Sequence, residues 1–192
     1  KGILGDTSEM GMFEAFNAEH DRVKVVFVNQ WDFHRGVCGE RMPEDMAFAD
    51  IRRGSDAEFG MSVYEPFGIS QFEPLCFGAI CVVSDVCGCT GFARNAAGQV
   101  GYNGNVIEAS FLDVPDDWTV EDLRGMTISH RDRIESTEAD RVARLFCDAL
   151  PRGDEAMTHA IEHGYALADR MSWEHVMKDF FLPSIASAAE KN

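Results

Sequence analysis

The stretch from Gly54 to Gly91 constrains the fold more than any other. Apolar residues alternate at Phe59, Met61 and Val63, the chain breaks at Tyr64-Glu65-Pro66, a short helical pattern follows, and a second apolar run covers Ala79 to Val83. Strand, loop, helix and strand in that order make one βαβ unit of a parallel sheet. In open sheets of this kind ligands sit at the carboxyl ends of strands, where loop amides and the N-terminus of the next helix face them. Glu65, Pro66 and Gly68 fall in that loop and Glu73 on the helix. Both carboxylates therefore stand where a ligand is expected.

The remaining chain extends the same pattern. Asp6 or Thr7 begins an expected helix that ends at Glu19, with Met12, Phe13 and Phe16 at helical spacing. Residues 22–29 (RVKVVFVN) read as a buried, valine-rich parallel strand. A polar loop to Met42 follows, in which His34 is either an acid–base candidate or a solvated side chain. Pro43 to Arg53 reads as a helix with proline in its first turn. Five glycines lie between Gly88 and Gly104, so 86–103 is expected to be a loop or lid. A strand at 105–112 and a short helix from Thr119 or Val120 come next. Beyond Ser129 the pattern is wholly helical, broken at Pro151-Arg152-Gly153, with Ser172 as N-cap of a last helix that Pro183 should kink or end. The expected fold class is α/β, a Rossmann-like parallel sheet flanked by helices with a helical C-terminal segment. Strands near 22–29, 56–63, 79–84 and 105–112 should be parallel neighbours.

Composition excludes several functions. The 192 residues carry 33 acidic and 17 basic side chains, a formal charge of −16, which opposes non-specific nucleic-acid binding and docking on anionic membranes. No run reaches the length of a membrane span, and no signal peptide opens the chain. The sequence starts at Lys1 without an initiator methionine and reads as mid-domain sequence, hence as part of a longer protein. Of the six cysteines, Cys87 and Cys89 invite either a metal or redox reading or a plain one, as small apolar residues of a reduced, cytoplasmic protein. The spacing lacks the paired C-x2-C units of a zinc site, so no metal is expected.

The string Ser62-Val63-Tyr64-Glu65-Pro66-Phe67-Gly68, with Glu73 completing E-x7-E and Gly78 and the strand Ile80 to Asp85 behind it, resembles the signature of retaining GT-B glycosyltransferases. The glycogen and starch synthase-like enzymes are the closest in flavour. A second mark, Met171-Ser172-Trp173-Glu174-His175-Val176, resembles the start of the C-terminal helix these enzymes send back towards their N-terminal domain. The resemblance implies a donor-binding Rossmann-like domain over 1–170, a crossing helix over 171–192, and an N-terminal domain outside this sequence. Pro74 after the second glutamate, Met61 before Ser62, and Glu58 in the strand depart from the family pattern and suggest a remote branch.

Such an enzyme moves a hexose from a nucleoside-diphosphate sugar to an acceptor hydroxyl, which is carbohydrate or another alcohol. Negative charge grows on the departing diphosphate while positive charge grows on the sugar ring, so fixed donors must face the one and acceptors the other. The resemblance implies that amides around Gly68 and Ile69 meet the diphosphate or sugar hydroxyls, and that Glu65 lies beside the donor sugar as the catalytic candidate. It implies that Glu73 accepts from the ribose hydroxyls and that Lys1 meets the pyrophosphate. The nucleotide-sugar is a co-substrate, and no cofactor is expected. Each glutamate also has a local explanation, Glu65 capping its turn and Glu73 standing as an exposed helix acid. Without the acceptor side of the cleft, these residues alone are expected to be inactive. The alternative is a non-catalytic nucleotide-sugar-binding or scaffold module that kept the fold.

Overall fold

The computed structural model describes residues 8–190 apart from 27, 29–32, 99–100 and 103. Lys1 lies outside the described residues. The chain forms two compact units that divide between Gly54 and Ser55.

The first unit contains α1 (Ser8–Glu19), α2 (Arg35–Cys38) and α3 (Phe48–Arg53). The strand expected at 22–29 is absent over the described residues 22–26 and 28. Its backbone groups go elsewhere: the Asn17 side chain takes the Val25 N–H on Oδ1 (2.6 Å) and gives Nδ2–H to the Val25 carbonyl (2.7 Å). Val26 is 77% exposed, whereas a parallel strand needs cover on both faces. The helix expected from Pro43 starts only at Phe48. Ala47 is extended, and its N–H is taken by the Asp50 carboxylate at 2.8 Å, which fixes the helix start there. That bond also holds the Asp50 carboxyl below the usual range, with Arg53 adding to the effect.

The second unit is α/β, a three-stranded, wholly parallel open sheet with helices. Its strands are β1 (Ala57–Gly60), β2 (Ile80–Ser84) and β3 (Val106–Ala109), in the order β1-β2-β3. The register sets Phe59 opposite Val82, and Val83 opposite Glu108. Three of the four expected strands are thus parallel neighbours, shorter at their ends than their apolar runs.

Every residue of β2 is buried, as a central strand covered on both faces requires. Its alternation divides the core. Cys81 and Val83 join Leu75, Ala93, Val106 and Leu167 on one side, while Ile80 and Val82 meet Ala109 and Val142 on the other. Each fully buried Val or Leu side chain contributes roughly 1.5–3 kcal/mol relative to exposure.

The link from β1 to β2 was expected to hold a helix. It contains two 3₁₀ turns instead, Ile69–Gln71 and Glu73–Phe77. Gly68 precedes the first in a left-handed conformation and Pro74 sits in the first turn of the second, so no continuous α-helical ladder runs through. The link from β2 to β3, expected to be a loop, holds α4 (Cys89–Ala97). Glycine density misleads there because the glycines cluster at the ends: Gly88 is the N-cap and Gly98 the C-cap, leaving only Gly91 inside.

The helical half follows expectation. Thr119 caps α5 (Val120–Arg124) through a reciprocal pair with Asp122, and Thr127 caps α6 (Ile128–Ala149). After Gly153 come α7 (Asp154–Arg170) and α8 (Trp173–Val176), the latter capped by Ser172. Pro183 does not end the helix. A π-helical turn, Met177–Phe181, absorbs it before α9 (Leu182–Glu190). No helix among the described residues is long and apolar enough to cross a membrane.

α7 is locked to the sheet by a close approach and a polar clasp. A Cβ on Gly78 would lie 2.5 Å from Ile161 Cα, and Gly78 has φ +77°. Buried Asn105 donates Nδ2–H to the Ala160 carbonyl (2.9 Å), and its Oδ1 accepts from His163 Nδ1 (2.9 Å). Burial first, then His159 and Arg170, push the His163 pKa down. Its contribution to stability is therefore complete above the unfolded value near 6.5 and is lost as pH falls towards the folded value. In urea melts, His163→Gln should reduce the loss of stability between pH 7 and pH 5.

Gly78→Ala should lower stability by roughly 2–4 kcal/mol, adding overpacking against Ile161 to left-handed strain. Gly153→Ala, at φ +85° with open space around it, carries the strain alone and should cost about 1–2 kcal/mol. Equal losses would mean that α7 shifts freely.

Candidate functional site

The loops leaving β1 and β2 are joined backbone to backbone beyond the sheet. Glu65 pairs with Cys87 in a parallel bridge, Gly88 donates to the Glu65 carbonyl (3.0 Å), and Cys89 donates to the Phe67 carbonyl (2.8 Å). Gly88 is required by space, because a Cβ there would lie 1.9 Å from the Pro66 oxygen. Gly68 is required by both conformation and space. Its φ is +80°, and a Cβ would lie 2.4 Å from Cys87 Sγ.

This junction forms one wall of a cleft of about 460 Å³. Phe67, Gly68, Phe72, Glu73 and Cys76 line it from the β1–β2 link, and Cys89 and Phe92 from α4. Tyr165, Ala168 and Asp169 from α7 and Met171, Ser172 and Trp173 beyond it close the other side. The lining is mostly apolar. Glu73 and Asp169 supply carboxylates, Ser172 a hydroxyl and Tyr165 a phenol, and among the described residues no lysine or arginine lines it. Tyr165 is 64% and Trp173 79% exposed, so two aromatic faces stand open to a planar ligand.

The expected site residues divide in their placement. Gly68 and Glu73 line the cleft. Ile69 opens the first 3₁₀ turn directly after Gly68. Glu73 stands at the start of the second 3₁₀ turn rather than two turns along an α-helix, because Pro74 follows it. Glu65 is half-buried and outside the cleft lining, and its Oε1 accepts the Phe67 N–H at 3.2 Å. That contact is the local capping role. His34, in the first unit, is exposed.

No protein-family model matches the chain. No curated protein gives a significant match either. The functional reading therefore rests on the sequence strings and on the geometry of the cleft.

Two contributors, Asp169 and Gln71, escaped the sequence, and the cysteine pair was legible only in part. Asp169 carried no signal beyond its place near the end of a helical pattern. Gln71 is buried, donates Nε2–H to Ser62 Oγ (3.3 Å), and has an Oε1 that meets no donor among the described residues. Cys87 and Cys89 were visible as a C-x-C string, but their burial beneath Gly68 was not. Their sulfurs are 2.9 Å apart, and Cys87 Sγ donates to the Phe67 carbonyl at 2.9 Å. Burial, then the neighbouring Cys87 thiol, push the Cys89 pKa up, so that thiol is protonated at neutral pH. Among the described residues no cluster of three His, Cys, Asp or Glu side chains could hold a metal ion.

Gly88→Ala should separate the two exit loops, since the added carbon meets backbone rather than a movable side chain. Roughly 1–3 kcal/mol of stability should be lost in denaturant melts, and the Cys89 amide should exchange hydrogen faster. Unchanged protection at Cys89 would refute the account of the junction.

Proposed function

We propose that the protein is the donor-binding half of a retaining GT-B glycosyltransferase, glycogen or starch synthase-like, moving a hexose from a nucleoside-diphosphate sugar to an acceptor hydroxyl. The observation that carries this reading is a convergence. Gly68 and Glu73 of the E-x7-E string and Ser172 and Trp173 of the C-terminal string line one cleft, beside the loops that leave β1 and β2. On this reading Glu73 accepts from the ribose hydroxyls, and the aromatic residues around it hold the flat base. The acceptor side belongs to a second domain, and no metal is required.

One observation favours the second reading, a binding module without catalysis. The Glu65 carboxylate is engaged with its own loop at the Phe67 N–H. To lie beside a donor sugar it must exchange that partner for the ligand.

Calorimetry with a nucleoside diphosphate and with the intact nucleotide-sugar separates the two. Glu73→Ala should weaken diphosphate binding by about 1.5–3 kcal/mol through loss of a charge-assisted pair. Glu65→Ala should leave diphosphate affinity nearly unchanged and depress turnover of the full-length enzyme more than it depresses binding. A Glu73 effect with no turnover effect from Glu65 would favour the binding module. Negligible effects from both would sink nucleotide-sugar binding at this cleft.

A further inference from the structure

We infer that Cys87 and Cys89 form a reversible dithiol–disulfide couple beneath the Gly68 turn, so that the cleft wall changes with redox state. The two sulfurs are 2.9 Å apart, and a disulfide bond of about 2.05 Å needs them to close by only about 0.9 Å. None of the six cysteines, all described, is in a disulfide. Cys89 opens α4 and lines the cleft, which gives a small disulfide a route to its sulfur. Both thiols are buried, Cys87 2% and Cys89 3% exposed, but Cys87 does not line the cleft, which puts it in the resolving position.

The step balances with a low-molecular-weight disulfide as oxidant. Cys89, in the small deprotonated fraction that its raised pKa allows, attacks one sulfur of that disulfide, expels one small thiolate and leaves a mixed disulfide. The Cys87 thiolate then attacks the Cys89 sulfur and expels the second. Two electrons pass from the protein to the small disulfide, and the two protons end on the released thiols. Excess small dithiol reverses both steps.

The consequence reaches the cleft through Phe67 and Gly68. In the reduced form Cys87 donates its S–H to the Phe67 carbonyl, and its sulfur fills the space that a side chain at position 68 would occupy. Oxidation removes that donor and draws the sulfur towards Cys89. The Phe67 carbonyl keeps the Cys89 N–H, so the turn stays attached but loses one of its two supports. This inference is independent of which ligand the cleft takes.

The test uses the full chain with the exposed Cys38, Cys76 and Cys147 each changed to Ser, equilibrated against mixtures of oxidised and reduced glutathione. Alkylation after unfolding, read by mass, should show two thiols disappearing together without a glutathione adduct, and returning with dithiothreitol. Cys87→Ser or Cys89→Ser should each abolish this, whereas Cys81→Ala should keep it. Peptide mapping of the native sequence gives the same readout where a variant fails to fold. In the oxidised form, hydrogen exchange at Gly88 and Cys89 should differ from that of the reduced form. All three remaining thiols alkylatable at every ratio, or a stable glutathione adduct alone, would overturn the couple. Unchanged exchange on oxidation would overturn its link to the cleft.

Discussion

The cleft depends on the pairing of β1 with β2 being carried past the end of the sheet. Two hydrogen bonds, Gly88 to Glu65 and Cys89 to Phe67, hold the exit loops side by side where strand geometry has already ended. Parallel strands normally diverge into separate loops at this point, and the crevice between them is where ligands bind. Here the backbones touch. The Pro66 carbonyl fills the place of a side chain at position 88, and Cys87 fills the place of one at position 68. The ligand space is displaced sideways, between the 3₁₀ turns, α4 and α7, rather than opening between the strands.

That displacement explains why α7 matters to the site despite following β3 by a long interval. Gly78 ends the 3₁₀ link that carries Glu73 and packs against Ile161. Asn105, at the mouth of β3, clasps α7 at Ala160 and His163. About one and two turns beyond Ile161 on the same helix, Tyr165 and Asp169 line the cleft. Arg170 then reaches back to the carbonyls of Ala96 and Ala97 at the end of α4 (both 3.4 Å), where a cation meets the negative end of the helix dipole. The cleft walls are therefore held by the same contacts that close the core.

The sequence made much of this arrangement legible, and its failures are local. Alternation at Phe59, Met61 and Val63 marked β1, although those side chains stand exposed, and a continuous apolar run marked β2, whose every residue is buried. The cap residue Ser172 marked the start of α8, since a side-chain acceptor for orphan N–H groups is a short-range signal, whereas Thr127, which caps α6, was not read from the sequence. The segment 22–26 failed because valine content marks a strand only if an edge is offered, and Asn17 took the Val25 backbone groups instead. α4 was hidden because glycines were counted rather than placed. Glu73 was found as a residue while its element was misread, because Pro74 limits the turn to 3₁₀ geometry. The partner contributed by α7 is a tertiary fact. No spacing places Asp169 opposite Gly68.

Charge decides how a nucleotide-sugar would have to lie, on the proposed reading. The charged side chains lining the cleft, Glu73 and Asp169, are both acidic. Two unit charges about 6 Å apart at an effective dielectric near 20 repel by roughly 2.8 kcal/mol. A phosphate that close to either carboxylate would be opposed by an amount comparable to the gain from a charge-assisted hydrogen bond, about 1.5–3 kcal/mol. The neutral part of the donor, ribose and base, suits the cleft because hydroxyls donate to carboxylates and the base meets aromatic faces. The diphosphate must then point away, past Gly68, towards cations that the cleft itself does not supply. The second domain implied by the family resemblance is the source such an arrangement calls for. A cleft of this charge, without it, would hold a nucleoside better than its diphosphate.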